Sequence, residues 1–179
     1  MKPRESHHPI FVRGLHLLPF CLFTLLLLMM ACTQIDCPVQ NTVYTVYNLK
    51  KADGTADTLR VDTLTIKTRR ADDTDTVLLN RLCGTTASTF NLPISYTQPE
   101  DVLFLELADT MGGKWRDTVR IKKDNLPQFE SVDCQVAYFH VITTVSTSHH
   151  FIDSIVINNS KVTYDATTEH FHLYLKALR

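Results

Sequence analysis

Glycine is scarce in this chain, five residues in 179, and no stretch is repetitive or compositionally biased. No internal repeat or domain boundary interrupts it, so one domain is expected. No segment of useful length carries an apolar period of 3.6, which argues against a helical architecture. Charge of one sign is lacking too: 18 Lys and Arg stand against 19 Asp and Glu, a formal net charge of −1. The basic residues gather only in pairs such as Arg69-Arg70 and Lys122-Lys123. That leaves no basic field for nucleic acid. Cys-x-x-Cys and Gly-x-Ser-x-Gly are both absent, so neither a thiol oxidoreductase nor a hydrolase with a nucleophile elbow is indicated. Asp72-Asp73-x-Asp75 lacks the glycine and terminal glutamate of a calcium loop and reads as a solvated turn. No cofactor is implied.

One long apolar run is present, LHLLPFCLFTLLLLMMAC over Leu15 to Cys32. Lys2, Arg4 and Arg13 precede it against Glu5 alone. Basic residues, then an apolar core, then a small residue make the pattern of a secretory signal. The uncharged stretch from Leu15 to Ala31 is 17 residues and contains His16 and Pro19. A membrane span usually needs ~20 apolar residues. Met29-Met30-Ala31-Cys32 resembles the lipobox of bacterial lipoproteins, with Met29 where leucine is usual. The resemblance implies cleavage before Cys32 and lipidation of its sulfur, with palmitate-type acyl chains. Two or more chains hold a protein stably on a bilayer. The expected organisation is a helical signal peptide over 1–31, a lipidated tether over 32–41 and a single domain over 42–179.

Without the leader, 15 basic and 18 acidic residues remain, a net charge near −3. Threonine is abundant, and Val, Ile, Tyr and Phe recur in short runs that suit strands. Val43, Thr45, Tyr47 and Leu49 share one face. Asp53-Gly54 is a turn signal. The apolar phase changes between Val61 and Leu64, which predicts a bulge. Phe90, Leu92 and Ile94 alternate with Asn91, Pro93 and Ser95. Pro93 has no amide donor, so its strand is expected at an edge. Val102 to Leu107 is apolar on both faces, the mark of a central strand. Met111-Gly112-Gly113 turns into a strand with Trp115, Val119 and Ile121 inward. Asn125-Leu126-Pro127 is expected to break the pattern. The last strand puts Phe171, Leu173 and Leu175 inward and His170 and His172 outward. About nine short strands at a spacing of roughly ten residues predict an antiparallel, Ig-like β-sandwich, with a closed barrel as the alternative.

Ile35-Asp36-Cys37-Pro38, Leu92-Pro93-Ile94-Ser95-Tyr96, Phe129-Glu130-Ser131-Val132-Asp133-Cys134, Phe139-His140 and Asp153-Ser154-Ile155 together resemble an uncharacterised family of small Bacteroidetes lipoproteins. The resemblance carries no activity. It implies a Gram-negative envelope and a β-rich domain. Thr33-Gln34-Ile35 before the lone Asp36 favours an outer-membrane lipoprotein facing the periplasm.

Five cysteines are present. Cys21 leaves with the leader and Cys32 takes the lipid, so Cys37, Cys83 and Cys134 remain in a compartment that permits disulfides. Cys37–Cys134 is the pairing expected. His149, His150, His170 and His172 are weak metal candidates, two of them on one strand face; no metal site is expected from them. His140, inside an apolar strand, reads as a hydrogen-bonded core residue. Six triplets of Asp, Thr or Ser, and an apolar residue resemble an O-glycosylation motif of exported Bacteroidetes proteins. Their hydroxyls are Thr58, Thr63, Thr76, Thr110, Thr118 and Ser154.

These features predict a non-enzymatic, lipid-anchored envelope module, with Ile152 and Val156 as a docking patch for an outer-membrane or other envelope protein. The alternatives are a metal-dependent or hydrolytic enzyme built on the histidines and a fibre-associated lipoprotein.

Overall fold

Alternation of apolar and polar residues makes strands, and in the computed structural model it makes ten of them over the described residues, 42–70, 72–129 and 131–177. They are β1 (Tyr44–Lys50), β2 (Arg60–Arg69), β3 (Asp75–Gly84), β4 (Thr89–Pro93), β5 (Glu100–Ala108), β6 (Lys114–Gln128), β7 (Ala137–Thr147), β8 (Ile152–Ile157), β9 (Lys161–Val162) and β10 (Phe171–Leu175). No helix occurs among the described residues. The leader, Cys32 and Cys37 lie outside them.

Two sheets form, in the orders β4-β1-β10-β8 and β3-β2-β5-β6-β7-β9. They remain separate sheets, so the sandwich expectation holds and the closed barrel does not. β4 with Pro93 is an edge, and β5 lies between β2 and β6. The β2–β3 register shifts between Arg60 and Leu64, where the sequence changes phase. Gly112 sits at φ +94° in the β5–β6 turn, a conformation that L side chains resist. Asp109 accepts from Met111 N and Gly113 N to complete this turn.

Three expectations fail. The sandwich is not wholly antiparallel, because β1 pairs in parallel with β10, Tyr47 opposite Phe171. These strands come from opposite ends of the chain, so no tight turn dictates their sense. Asn125-Leu126-Pro127 does not end a strand; β6 runs on to Gln128, paired with β7. The β5 ladder stops at Glu100 opposite Lys122, so Pro127 has only one neighbouring strand and its missing donor is tolerated. Ile152, expected on a docking patch, is fully buried, and only Val156 is exposed.

Inner-face residues of both sheets build the core, including Leu49, Leu64, Ile66, Leu105, Ile121, Phe151 and Leu173. Each such side chain contributes ~1.5–3 kcal/mol when fully buried. At the centre of the four-stranded sheet the Tyr47 ring lies between Phe90 and Phe171, with centroids at 5.0 and 4.8 Å. Burial pushes the Tyr47 phenol far above its ordinary range.

Candidate functional site

The chain changes sheet at β1–β2, β3–β4, β4–β5, β7–β8, β8–β9 and β9–β10. Three of these crossings are held by buried polar side chains, and these are the chemically distinctive groups of the domain. The inner face of β6 explains two of them. Its alternate residues are Trp115, Asp117, Val119, Ile121, Lys123 and Asn125, so an aspartate and a lysine stand in phase with the core.

Asp117 is 3 % exposed. Its Oδ1 accepts from Ser148 Oγ (2.6 Å) and His150 N (2.9 Å), with His150 Nδ1 at 3.3 Å. Its Oδ2 accepts from Phe151 N (2.8 Å) and Ile152 N (2.7 Å). The carboxylate thus gathers the donors of the β7–β8 crossing. Burial raises its pKa and is the largest single influence. The hydrogen bonds from His150, Ser148, Ile152 and Phe151 together outweigh it, and the net shift is downward.

Asp, Ser and His in one cluster invite comparison with a hydrolytic triad. In a triad the imidazole lies between the two, taking the serine proton on one nitrogen while the other donates to the carboxylate. Here Ser148 gives its proton directly to Asp117, and the single atom His150 Nδ1 faces both Ser148 Oγ (3.2 Å) and the carboxylate. The arrangement orients a turn and does not activate the serine. Beside it a cleft of about 550 Å³ opens, lined by Thr65, Lys67, Arg69, Phe104, Glu106, Arg116 and His150 among others. Arg69 lies over the Phe104 ring at 5.6 Å, and Arg116 Nε donates to Glu106 at 2.8 Å.

The second cluster holds the β4–β5 crossing. Lys123 Nζ, fully buried, bonds Asp101 Oδ2 at 2.9 Å and donates to Gln98 O at 3.0 Å. Ser95 N donates to the same carboxylate. Asn125 Nδ2 donates to Tyr96 O and Gln98 O, and Asn125 Oδ1 meets His140 Nδ1 at 2.7 Å. His140 is 2 % exposed, as expected for a core histidine. Burial, reinforced by the Lys123 cation, pushes its pKa down to about 4. An unfolded histidine titrates near 6.5. Between these values the unfolded chain binds the extra proton, so His140 contributes stability above pH ~6.5 that is lost as pH falls toward 4. Chemical denaturation near pH 7 and near pH 4.5 checks this: His140→Gln is expected to lose less stability across the interval than the wild type.

The third cluster corrects an expectation. His170 does not face outward; it is 0 % exposed. Val46 N donates to its Nδ1 at 3.0 Å, which places the proton on Nε2, and Nε2 donates to Lys161 O at 3.2 Å. The residue joins β1 to the β9–β10 crossing. Burial lowers its pKa, opposed by the Lys161 carbonyl and the Asp165 charge. Strand phase places it on the face opposite Phe171, but the ring does not reach solvent there: the backbone stays bonded to Val46 O and Asn158 N, and the ring lies against Lys161 O of β9.

The remaining histidines are scattered. His149 Nδ1 meets Asp153 O, and His172 Nε2 meets Glu169 Oε2 at 2.9 Å. No three His, Cys, Asp or Glu side chains converge as a metal-binding group among the described residues. The Asp72 turn is solvent-exposed, and Asp72 accepts from Thr74 N and Oγ1. Several triplet aspartates form turns: Asp57 accepts from Thr58 N, while Asp109 and Asp117 act as described above. Of the six hydroxyl residues, Thr110 is exposed and Thr58, Thr63, Thr76, Thr118 and Ser154 are partly buried. Cys134 is disulfide-bonded, whereas Cys83 is free and exposed. The expected partner of Cys134, Cys37, lies outside the described residues.

Reading the sequence misses Asp117 and Lys123 although the signal is there, as charged residues on the apolar phase of an amphipathic strand. Asp101 carries a weaker form of the same signal.

The fold and these clusters define an all-β, two-sheet domain whose sheet crossings are fastened by buried polar side chains. The chain belongs to a family of unknown function, DUF6452, matched over residues 63–175, more than half its length. No curated protein and no solved structure matches it.

Proposed function

We propose that this protein is a lipid-anchored accessory module of a bacterial cell envelope, without catalytic activity, whose β-domain binds or supports another envelope component. One observation carries the reading from the domain side: the groups best suited to chemistry, Asp117, Ser148, His140 and His170, are each engaged in fastening strands or crossings. From the sequence side it is supported by the basic, apolar and Ala31-Cys32 order of the leader. On this reading Cys32 bears the lipid and Cys37 is the partner of Cys134. The module is an outer-membrane lipoprotein facing the periplasm, of the small Bacteroidetes lipoprotein type. Its partner is an outer-membrane or other envelope protein. The Asp-Thr and Asp-Ser triplets are sites of O-glycosylation, with Thr110 the most open to a transferase.

The test is intact mass and fractionation of the protein from its own host. The expected mass is that of residues 32–179 plus acyl chains, with a further increment if glycans are attached. Cys32→Ser is expected to move the chain out of the membrane fraction. An unacylated wild-type mass would overturn the anchor, and a mass fully accounted for by lipid would remove the glycans.

A further inference from the structure

One end of the sandwich exposes large apolar side chains where polar turn residues would serve. Tyr96 is 58 % exposed, Leu126 42 %, Phe129 76 % and Val132 99 %. They belong to the β4–β5 crossing, the far end of β6 and the β6–β7 connection. Tyr96 sits against the far end of β6: Asn125 Nδ2 donates to Tyr96 O, and the Tyr96 ring stacks on Tyr138 at 4.9 Å. Tyr138 pairs with Pro127, whereas Leu126 pairs with Phe139 on the other face of β6, so the apolar group wraps both faces of this tip of the sheet. Isolated exposed apolar residues are ordinary, but a group of them marks a contact surface.

The place where the chain enters the domain identifies what covers that surface. Tyr44, the first residue of β1, pairs with Pro93, the last of β4, and Ile94 N approaches Val43 O at 3.5 Å. The upstream chain therefore joins the domain two residues from Tyr96. Cys134, at the close of the β6–β7 connection, is disulfide-bonded.

We propose that this end of the domain rests on the lipid bilayer, with Leu126, Phe129 and Val132 at the acyl boundary and Tyr96 among the headgroups. The inference rests on the anchor reading above. A lipid at Cys32 is at most ~42 Å of extended chain from Tyr44, and only ~17 Å from Cys37 if that residue closes the disulfide. Such a tether keeps this end close to the bilayer. Aromatic rings favour the interface, and the apolar side chains favour the acyl boundary.

The full-length chain, purified from host membranes and placed in phosphatidylethanolamine–phosphatidylglycerol vesicles, provides the test. The single native tryptophan, Trp115, starts β6 at the opposite end and packs against the core. In wild type, brominated acyl chains are expected to leave its emission unchanged. In F129W the added emission is expected to shift to the blue and fall by about half, as suits a depth at the acyl boundary. An unquenched indole in F129W of lipid-bearing mass would overturn the docking and leave the anchor standing. An unlipidated mass would overturn the anchor by itself. An unquenched indole in a chain that runs as a dimer would overturn the docking and give the surface to a second copy.

Discussion

Replacing Asp117 by alanine is expected to destabilise the domain by about 4 kcal/mol, enough to leave many domains of this size largely unfolded. The carboxylate is buried on the inner face of β6 and accepts from Ser148 Oγ and from the amides of His150, Phe151 and Ile152. Alanine leaves those donors in a site without water, at ~1–3 kcal/mol for each that finds no partner. Partial relaxation of the crossing keeps the total below the sum. The substitution Asp117→Asn retains one acceptor oxygen but brings donors toward donors, so an intermediate loss is expected. Urea denaturation measures both. The lowered pKa adds a pH signature. The unfolded carboxylate titrates near 3.9. Asp117 therefore contributes its ionic stabilisation above that value and loses it as pH falls through the folded pKa below it. A wild-type acid transition that Asp117→Asn reproduces unchanged would show that the carboxylate charge is not what fastens the crossing.

The second large effect is expected at the opposite end of the same inner face. Asp101→Ala removes the carboxylate from Lys123 Nζ, which is fully buried and keeps only Gln98 O. An uncompensated buried ammonium costs roughly 3–5 kcal/mol. Lys123→Met is expected to cost less, because Asp101 is nearer the surface and retains Ser95 N. The double substitution Asp101→Leu with Lys123→Met removes both charges and is expected to be more stable than Asp101→Ala alone. The comparison needs only equilibrium denaturation of the four chains. Equal losses for the two single variants and the pair would mean that packing, and not the buried charge, sets the effect.

These clusters show where reading the sequence stops. The alternation Phe90-Leu92-Ile94 places β4, and Pro93 places it at an edge. Apolar residues on both phases of Val102 to Leu107 place β5 inside a sheet. The phase change before Leu64 marks a register shift. All of these are local, because side-chain direction repeats every two residues whatever the strand pairs with. Local reading misleads at Asn125-Leu126-Pro127, where a proline-containing segment remains a strand because its ladder has become one-sided. It also fails at His170 and Ile152, which lie where the chain enters a strand and its direction is set by the crossing.

The sequence by itself determined that this is an all-β domain, where most of its strands lie, and that Trp115, Val119 and Ile121 face the core, since these follow from local periodicity and from the conformational limits of proline and glycine. Only the tertiary structure decided that β1 lies beside β10, which strands share a sheet, and what Asp117, Lys123 and His170 do. The reason is physical: a buried polar group is explained by the donors and acceptors around it, and here they arrive from residues as distant as Val46 is from His170, brought together only when the two sheets close.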